Sequence, residues 1–179
     1  MRCPLTRLKR AAALSLLQLG EVVSGQIWEE IAASAETRIG LADDLVARNR
    51  MELFPAKYLT QALVAESDLV RWMIEESEQA CVPAKIELVK VIAIDPQTED
   101  GLLDFYIFKF CMEAKHQNDA AAWKAGVAGP YLRDEQPTSN AEESPHSEFV
   151  AIDDKWPEEH LGDISEIVRD YRLRAGFDD

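Results

Sequence analysis

The hydrophobic pattern of this 179-residue sequence changes its period near Pro83. Before that proline, apolar residues recur every three or four positions, as they do on one face of a helix. After it, they alternate within β-branched and aromatic runs, as they do along a strand. Helices followed by strands predict the α+β class, in which helices are segregated from an antiparallel sheet.

Residues 1–83 are predicted to form a bundle of short helices. The first helix presents an apolar face made by Leu5, Leu8, Ala12, Leu16 and Leu19, and Gly20 marks its end. Further helical stripes occupy residues 23–31 and 39–46. Pro55 is placed to open another short helix, and Ser67 is placed to cap the one after it.

Residues 84–179 are predicted to form a four-stranded antiparallel meander and a C-terminal helix. The strands are "KIELVKVIAID", "LLDFYIFKFCM", "AAWKAGVAGPYL" and "SEFVAID", and the turn "DPQTEDG" joins the first two as a hairpin. In the first strand we expect Ile86, Leu88, Ile92 and Ile94 on one face. Pro157 is placed to begin the last helix. We expect 1–83 and 84–179 to belong to one compact unit.

The run "WKAGVAGPY" holds two glycines and a proline within a predicted strand. Gly126 and Gly129 leave room where a ring or another backbone comes close, or where a bulge turns the strand. Pro130 donates no ladder hydrogen bond, so we expect the strand to end there or to lie at an edge. Tyr131 has a polar tip that reaches a neighbour. We interpret the run first as a folding device and second as a binding element.

These residues also carry a resemblance to a known kind of protein. Residues 105–110, His116, the run from Trp123 to Tyr131, Phe149 and the pair Glu159–His160 resemble a C-terminal module that follows HEAT-like helical repeats in bacterial proteins. The segment "RLKRAAALSLLQLGE" similarly resembles a HEAT-type helix. The resemblance covers roughly residues 84–170, and it implies an architecture and a bacterial origin without an assigned activity.

The charge is strongly negative, with 33 acids against 19 bases and a formal net charge of −14. Between Asp134 and Asp170 the sequence holds 12 acids and two bases. Nucleic-acid binding requires a basic surface, so we expect no nucleic-acid partner. The acidic segment is either a solvated surface or a docking face for a basic protein.

The cellular compartment is predicted from cysteine and hydropathy. Cys3, Cys81 and Cys111 are widely spaced and odd in number, which indicates reduced thiols in a cytoplasm. No apolar run is long enough to cross a bilayer, so we expect no membrane association. The basic and then apolar N-terminus also resembles a signal peptide, but Glu21 favours a helix of the folded protein.

The sequence contains no recognisable catalytic or metal-binding motif. His116, His146 and His160 are isolated in sequence, so we predict no metal site and no cofactor. A nucleophilic pair of Cys111 and His116 would need an exposed thiolate, whereas Cys111 ends an apolar strand. We therefore predict no catalytic residue. The candidate binding residues are His116, Trp123, Gly126, Gly129, Pro130, Tyr131, Phe149, Asp153, Asp154, Glu158, Glu159 and His160.

Three functions remain open from the sequence. The first is a non-enzymatic protein of the bacterial cytoplasm that binds a basic protein, as an immunity protein or antitoxin would. The second is a hydrolase or transferase with a pocket between helices and sheet that includes His116 or His160. The third is a structural end-cap of a longer helical array, which would associate through residues 4–33.

Overall fold

A computed structural model describes residues 5–75, 82–96, 101–111, 123–133, 148–151 and 169. Helices come first: α1 (Leu5–Gln18), α2 (Gly25–Ala32), α3 (Ala35–Ala47), the 3₁₀ turns Met51–Leu53 and Ala56–Tyr58, and α4 (Gln61–Glu75). The strands follow: β1 (Lys85–Ile94), β2 (Leu103–Cys111), β3 (Trp123–Leu132) and the short β4 (Glu148–Ala151). The predicted α+β class is confirmed.

The described residues divide into two compact units within α4. The first unit contains the described residues up to Ser67, and the second contains those from Asp68 onward. The predicted boundary between residues 83 and 84 stays a prediction. Among the described residues, none of the helices combines the length and the hydropathy that a bilayer span requires.

The core of the first unit is built from α1, α2 and α3. Trp28 and Ile31 of α2 and Leu41 and Leu45 of α3 are almost completely buried. The side of α1 that enters this core carries Ala13 and Leu14, with Leu17 packed against it. The apolar face predicted for α1 from the sequence is therefore not its core face. Its leucines, Leu5, Leu8, Leu16 and Leu19, are all exposed.

Two ion pairs accompany this orientation of α1. Its helix is apolar on two sides, so hydropathy alone leaves its rotation ambiguous. Lys9 reaches Glu30 of α2 at 2.7 Å, and Arg10 reaches Asp44 of α3 at 2.7 Å. Gly40 lies under the Arg10 guanidinium, where a Cβ would stand 2.7 Å from Cζ of that arginine. The charged side of α1 thus faces α2 and α3, and Ala13 and Leu14 on the same side of the helix are buried in the core.

Arg38 of α3 is the most buried charged residue of this unit, with 2% of its surface exposed. It donates hydrogen bonds to the carbonyl oxygens of Ala32 and Ala33, which the end of α2 leaves without helical partners. It also donates to the Glu66 carboxylate and to the Ser67 hydroxyl, each at 3.0 Å. Ser67 lies inside α4 and donates to the Leu63 carbonyl, so its predicted role as a helix cap was wrong.

The sheet has the strand order β1-β2-β3-β4, and neighbouring strands are antiparallel. The predicted hairpin of β1 and β2 is confirmed, with Ile94 paired to Leu103 at its turn end. Every side chain of β2 is buried except the half-buried Lys109. One of its two faces carries Leu103, Phe105 and Ile107, which pack with Val127 of β3.

A bulge in β1 changes which of its side chains share a face. The pairing Leu88–Phe108 is followed by Lys90–Ile107, so Val89 is the extra residue. Ile86 and Leu88 consequently lie on the Phe108 side, whereas Ile92 and Ile94 lie on the Phe105 side. The single face predicted for these four residues was wrong, because alternation continues in phase only along an unbulged strand.

The finer prediction for this half of the chain, a complete four-stranded meander closed by a C-terminal helix, is not shown as a whole, because the segments on both sides of β4 lie outside the described residues. The described part shows a helical first half followed by an antiparallel sheet, with the four residues of β4 paired to residues 124–127 of β3. The predicted helix from Pro157 lies outside the described residues apart from Arg169.

Candidate functional site

The run that the sequence singles out forms β3 and contains a bulge at Gly129 and Pro130. Asp104 pairs with Tyr131, and Tyr106 pairs with Ala128. Gly129 and Pro130 therefore both lie opposite the single residue Phe105. A bulge is where a strand tolerates a proline, since the ladder is interrupted there. Of the two expectations for Pro130, a strand end there was wrong by two residues, since β3 continues to Leu132. The described pairing of β3 with β4 covers only residues 124–127, so the alternative of an edge position stays a prediction.

Gly129 has the close contacts that the sequence predicts for a glycine in this run. A Cβ at this position would stand 2.8 Å from Cδ1 of Phe105 and 3.0 Å from the carbonyl oxygen of Asp104. Its φ is +151°, a value that side-chain-bearing residues rarely adopt. Both the positive φ and the neighbouring ring therefore require glycine here. The Gly129–Pro130 peptide bond is cis.

Tyr131 follows the bulge and joins β3 to the second half of α4. Its hydroxyl donates a hydrogen bond of 2.8 Å to Asp68, and Arg71 contacts the other oxygen of that carboxylate at 2.9 Å. The ring of Tyr106 meets the ring of Tyr131 edge to face, with centroids 5.6 Å apart. The result is a compact cluster of two phenols, a carboxylate and a guanidinium.

A second carboxylate lies beside this cluster. Asp104 is 5% exposed and accepts two hydrogen bonds from Arg133, from Nε at 3.0 Å and from Nη2 at 2.6 Å. This bidentate geometry is the strongest form of the carboxylate–guanidinium pair. It explains how an acid is accommodated in the otherwise apolar start of β2.

The environment of the two phenols keeps them protonated. Loss of solvent contact raises the pKa of Tyr131 well above its usual value of about 10, and the Asp68 carboxylate raises it further. Burial and then the Asp104 carboxylate raise the pKa of Tyr106. A phenol with a raised pKa is a poor base or nucleophile near neutral pH. The cluster is suited to holding β2, β3 and α4 together through hydrogen bonds.

The opposite end of β3 carries a different constellation. The Lys109 ammonium lies 5.1 Å from the centroid of the Trp123 ring and 2.7 Å from the Glu87 carboxylate. Trp123 and Tyr131 are eight residues apart on one strand, which places them about 26 Å from each other before the bulge is considered. The structure therefore does not bring these two candidate residues into one site.

The remaining candidate residues divide by position. Gly126 is buried in the middle of β3 and pairs with Phe149 of β4. Six lie outside the described residues: His116, Asp153, Asp154, Glu158, Glu159 and His160. Asp104 and Arg133 were missed, although one signal for them exists, since an acid within "LLDFYIF" requires a partner. Nothing local in sequence links Asp68 to Tyr131, which is 63 residues away.

Comparison with other proteins adds no family to these observations. No family model, curated protein or solved structure gives a significant match to the chain. Within the described part of the chain, no three histidine, cysteine or acidic side chains are grouped as metal ligands.

Proposed function

We propose that this protein acts by binding a basic protein partner and catalyses no reaction. The observation that carries the proposal is that most of its described basic side chains are paired with carboxylates of the same chain. Ten described bases form ion pairs with nine carboxylates of the same chain, between 2.5 and 3.2 Å. These bases are Arg7, Lys9, Arg10, Arg38, Arg48, Arg50, Lys57, Arg71, Lys109 and Arg133.

Because of this pairing, the charged groups that remain outside the ion pairs are more strongly acidic than the sequence as a whole. The sequence holds 33 acids and 19 bases, so acids outnumber bases still more strongly among the groups outside these pairs. A surface dominated by one sign of charge attracts a partner of the opposite sign and accelerates their association. The acidic segment between Asp134 and Asp170 supports the same partner class, with Asp153, Asp154, Glu158 and Glu159 as its candidate contacts.

The proposal also covers the cellular compartment of the protein and the class of its partner. We place the protein in the bacterial cytoplasm, supported by the free, buried thiol of Cys111. Its partner would be a basic protein of the toxin type, neutralised by an immunity-like acidic face. The fold that carries this face would be a four-stranded meander closed by a C-terminal helix, following HEAT-like helices. The predicted structural end-cap of a longer array is a separate alternative.

The described polar cluster supports a binding protein over the alternative of a hydrolase or transferase. Asp68 and Asp104 are each held by a guanidinium, and both tyrosines of the cluster have raised pKa values. Polar groups that are hydrogen-bonded to one another in this way stabilise the fold, and they are not free to act on a substrate. The expected pocket with His116 or His160 stays a prediction.

The experiment uses the full chain as bait in an extract of its native host. We expect one protein of basic isoelectric point to be retained at about 50 mM salt and released at about 500 mM, because screening weakens association between charged surfaces. The retained protein is then purified, and its dissociation constant is measured by calorimetry at both salt concentrations.

A second experiment tests the acidic residues themselves with a variant that removes charge without changing side-chain size. The variant D153N/D154N/E158Q/E159Q should bind the purified partner at least about tenfold more weakly, because four acids leave the face. Its far-ultraviolet circular dichroism should match the wild type. If the retained partner is acidic, or binds both proteins equally at low salt, the proposal is wrong.

A further inference from the structure

We propose that two copies of this chain associate through their α1 helices, paired antiparallel about a two-fold axis at Ala12. The surface involved is the α1 stripe, which consists of Leu5, Leu8, Ala12 and Leu16 of α1 and of Leu19 in the turn directly after it. This proposal does not depend on the basic partner proposed above, because it rests on a different surface and on apolar contacts.

The α1 stripe is exposed along its whole length. The exposed fractions are 63% for Leu5, 59% for Leu8, 43% for Leu16 and 78% for Leu19. Ala12 is exposed between them. The opposite side of α1 already packs into the core of the first unit, through Ala13 and Leu14. Three exposed leucines of α1 and Leu19 directly after it form a contiguous apolar patch of the kind that marks an interaction site.

The spacing of the stripe is symmetric about its centre. Relative to Ala12, the leucines stand at −7, −4, +4 and +7. A two-fold interface requires one surface to complement itself, so that residue i of one copy meets residue j of the other and the reverse. An antiparallel pair centred on Ala12 satisfies this requirement: Leu5 meets Leu19 of the second copy, and Leu8 meets Leu16 of the second copy. Ala12 meets its own counterpart at the axis.

The centre of the stripe is suited to a helix crossing. Ala12 has the smallest side chain of the stripe, and its exposed neighbours Ala11 and Ser15 are also small. Small residues allow two helices to approach toward the short end of the usual 8–10 Å range of axis separations. Close approach at the centre brings the flanking leucines into contact on both sides.

The helix dipole favours the antiparallel over the parallel arrangement. The bases of α1, Arg7, Lys9 and Arg10, are each paired with a carboxylate of α2 or α3, so they do not select the orientation. Parallel pairing would bring like ends of the two helix dipoles together. Antiparallel pairing places the partially positive N-terminal end of one helix beside the partially negative C-terminal end of the other.

The affinity expected from this surface is modest. One helix face is smaller than the interfaces of about 800 Å² per partner that give stable complexes. We therefore expect a dissociation constant on the order of 10 μM or weaker, in exchange with the monomer.

Sedimentation equilibrium of the full chain, from about 1 to about 300 μM, tests the proposal. We expect the wild type to change from monomer to dimer across this range. The variant L8E/L16E should associate at least about tenfold more weakly, because the two-fold axis brings acids of both copies together. Val46→Glu is the matched control, since Val46 is also an exposed apolar residue, at 51%, but belongs to α3; its association should equal that of the wild type.

A cysteine experiment tests the register and does not depend on the folding of the glutamate variant. In a C3S/C81S background, Ala12→Cys should oxidise to a covalent dimer, because the two thiols meet at the axis. Gln18→Cys should not, because its counterpart would lie about 18 Å away along the helix. A wild type that stays monomeric up to about 300 μM, an L8E/L16E variant that dimerises as well as the wild type, or equal cross-linking at positions 12 and 18 would overturn the proposal.

Discussion

Gly129 shows at the scale of one residue why the glycine–proline run has its composition. The substitution Gly129→Ala forces a Cβ against the Phe105 ring and the Asp104 carbonyl, and it strains the backbone at φ +151°. We expect a loss of about 2–4 kcal/mol in the free energy of unfolding, because overpacking and backbone strain both contribute. Urea denaturation followed by circular dichroism measures the loss.

Gly101 provides the control for this prediction. It also has a positive φ, +95°, but a Cβ built on it would have no atom within 4 Å. Gly101→Ala should therefore cost only the strain of the left-handed backbone, about 1–2 kcal/mol. Equal losses at the two positions would mean that the contact with Phe105 adds nothing.

Tyr131 is the residue with the clearest pH dependence. Tyr131→Phe removes the donor to the Asp68 carboxylate, and we expect it to cost about 1.5–3 kcal/mol at pH 8, where the phenol is protonated in both states. The folded protein raises the pKa of this phenol, so its contribution is complete below about pH 10 and decreases as pH rises above that value.

The same linkage predicts how the variant differs from the wild type across pH. Above pH 10 the unfolded phenol ionises while the folded phenol keeps its proton, so the wild type loses stability that Tyr131→Phe has no group to lose. The difference between the two should shrink between about pH 9 and pH 11 in urea denaturation. A constant difference over that interval would argue against the raised pKa. Tyr106 is present in both proteins, so its ionisation contributes equally to their free energies of unfolding and does not affect the difference.

At the scale of elements, Arg38 holds three helices together. Its guanidinium is bonded to the end of α2 and to α4, while its own backbone lies in α3. Arg38→Met leaves buried carbonyls and the Glu66 carboxylate without their donor, so we expect a loss of about 3–5 kcal/mol. The loss is read from urea denaturation at neutral pH.

Arg48→Met is the matched control for Arg38. Arg48 also pairs with a carboxylate, that of Asp44, but its side chain is 38% exposed. An exposed pair of this kind contributes about 1 kcal/mol or less. If both variants lost the same stability, burial of the Arg38 network would not be the cause.

At the scale of the whole molecule, net charge is the dominant property. A formal charge of −14 opposes compaction by self-repulsion, whereas the exposed ion pairs contribute little each. We expect the urea midpoint at pH 7.5 to rise when sodium chloride is increased from about 20 to about 500 mM, because salt screens the repulsion.

Acidification supplies the control for the effect of salt. Near pH 4.5 a large part of the carboxyl groups is protonated, so the net charge and the effect of salt on the midpoint should both be small. A midpoint that falls with salt at pH 7.5 would mean that the ion pairs outweigh the repulsion between acids.

The sequence by itself determined the order of helices and strands and the hairpin of β1 and β2, and it singled out the glycine–proline run as a place where side chains are absent. Each is a local property: periodicity, turn composition and one missing side chain are encoded within a few consecutive residues. The partnership of Asp104 with Arg133 had only a partial local signal, since an acid in an apolar strand requires a partner without specifying which one.

Tertiary structure alone decided the rotation of α1, the phase of β1 and the contact of Tyr131 with Asp68. α1 is apolar on two sides, and the buried side is the one whose Ala13 and Leu14 pack into the core formed with α2 and α3, with Lys9 and Arg10 paired to Glu30 and Asp44 beside it. Val89 becomes a bulge because of its register with β2, not because of its own residue type. Contacts between distant positions depend on the global arrangement of the chain, which no local pattern in its sequence specifies.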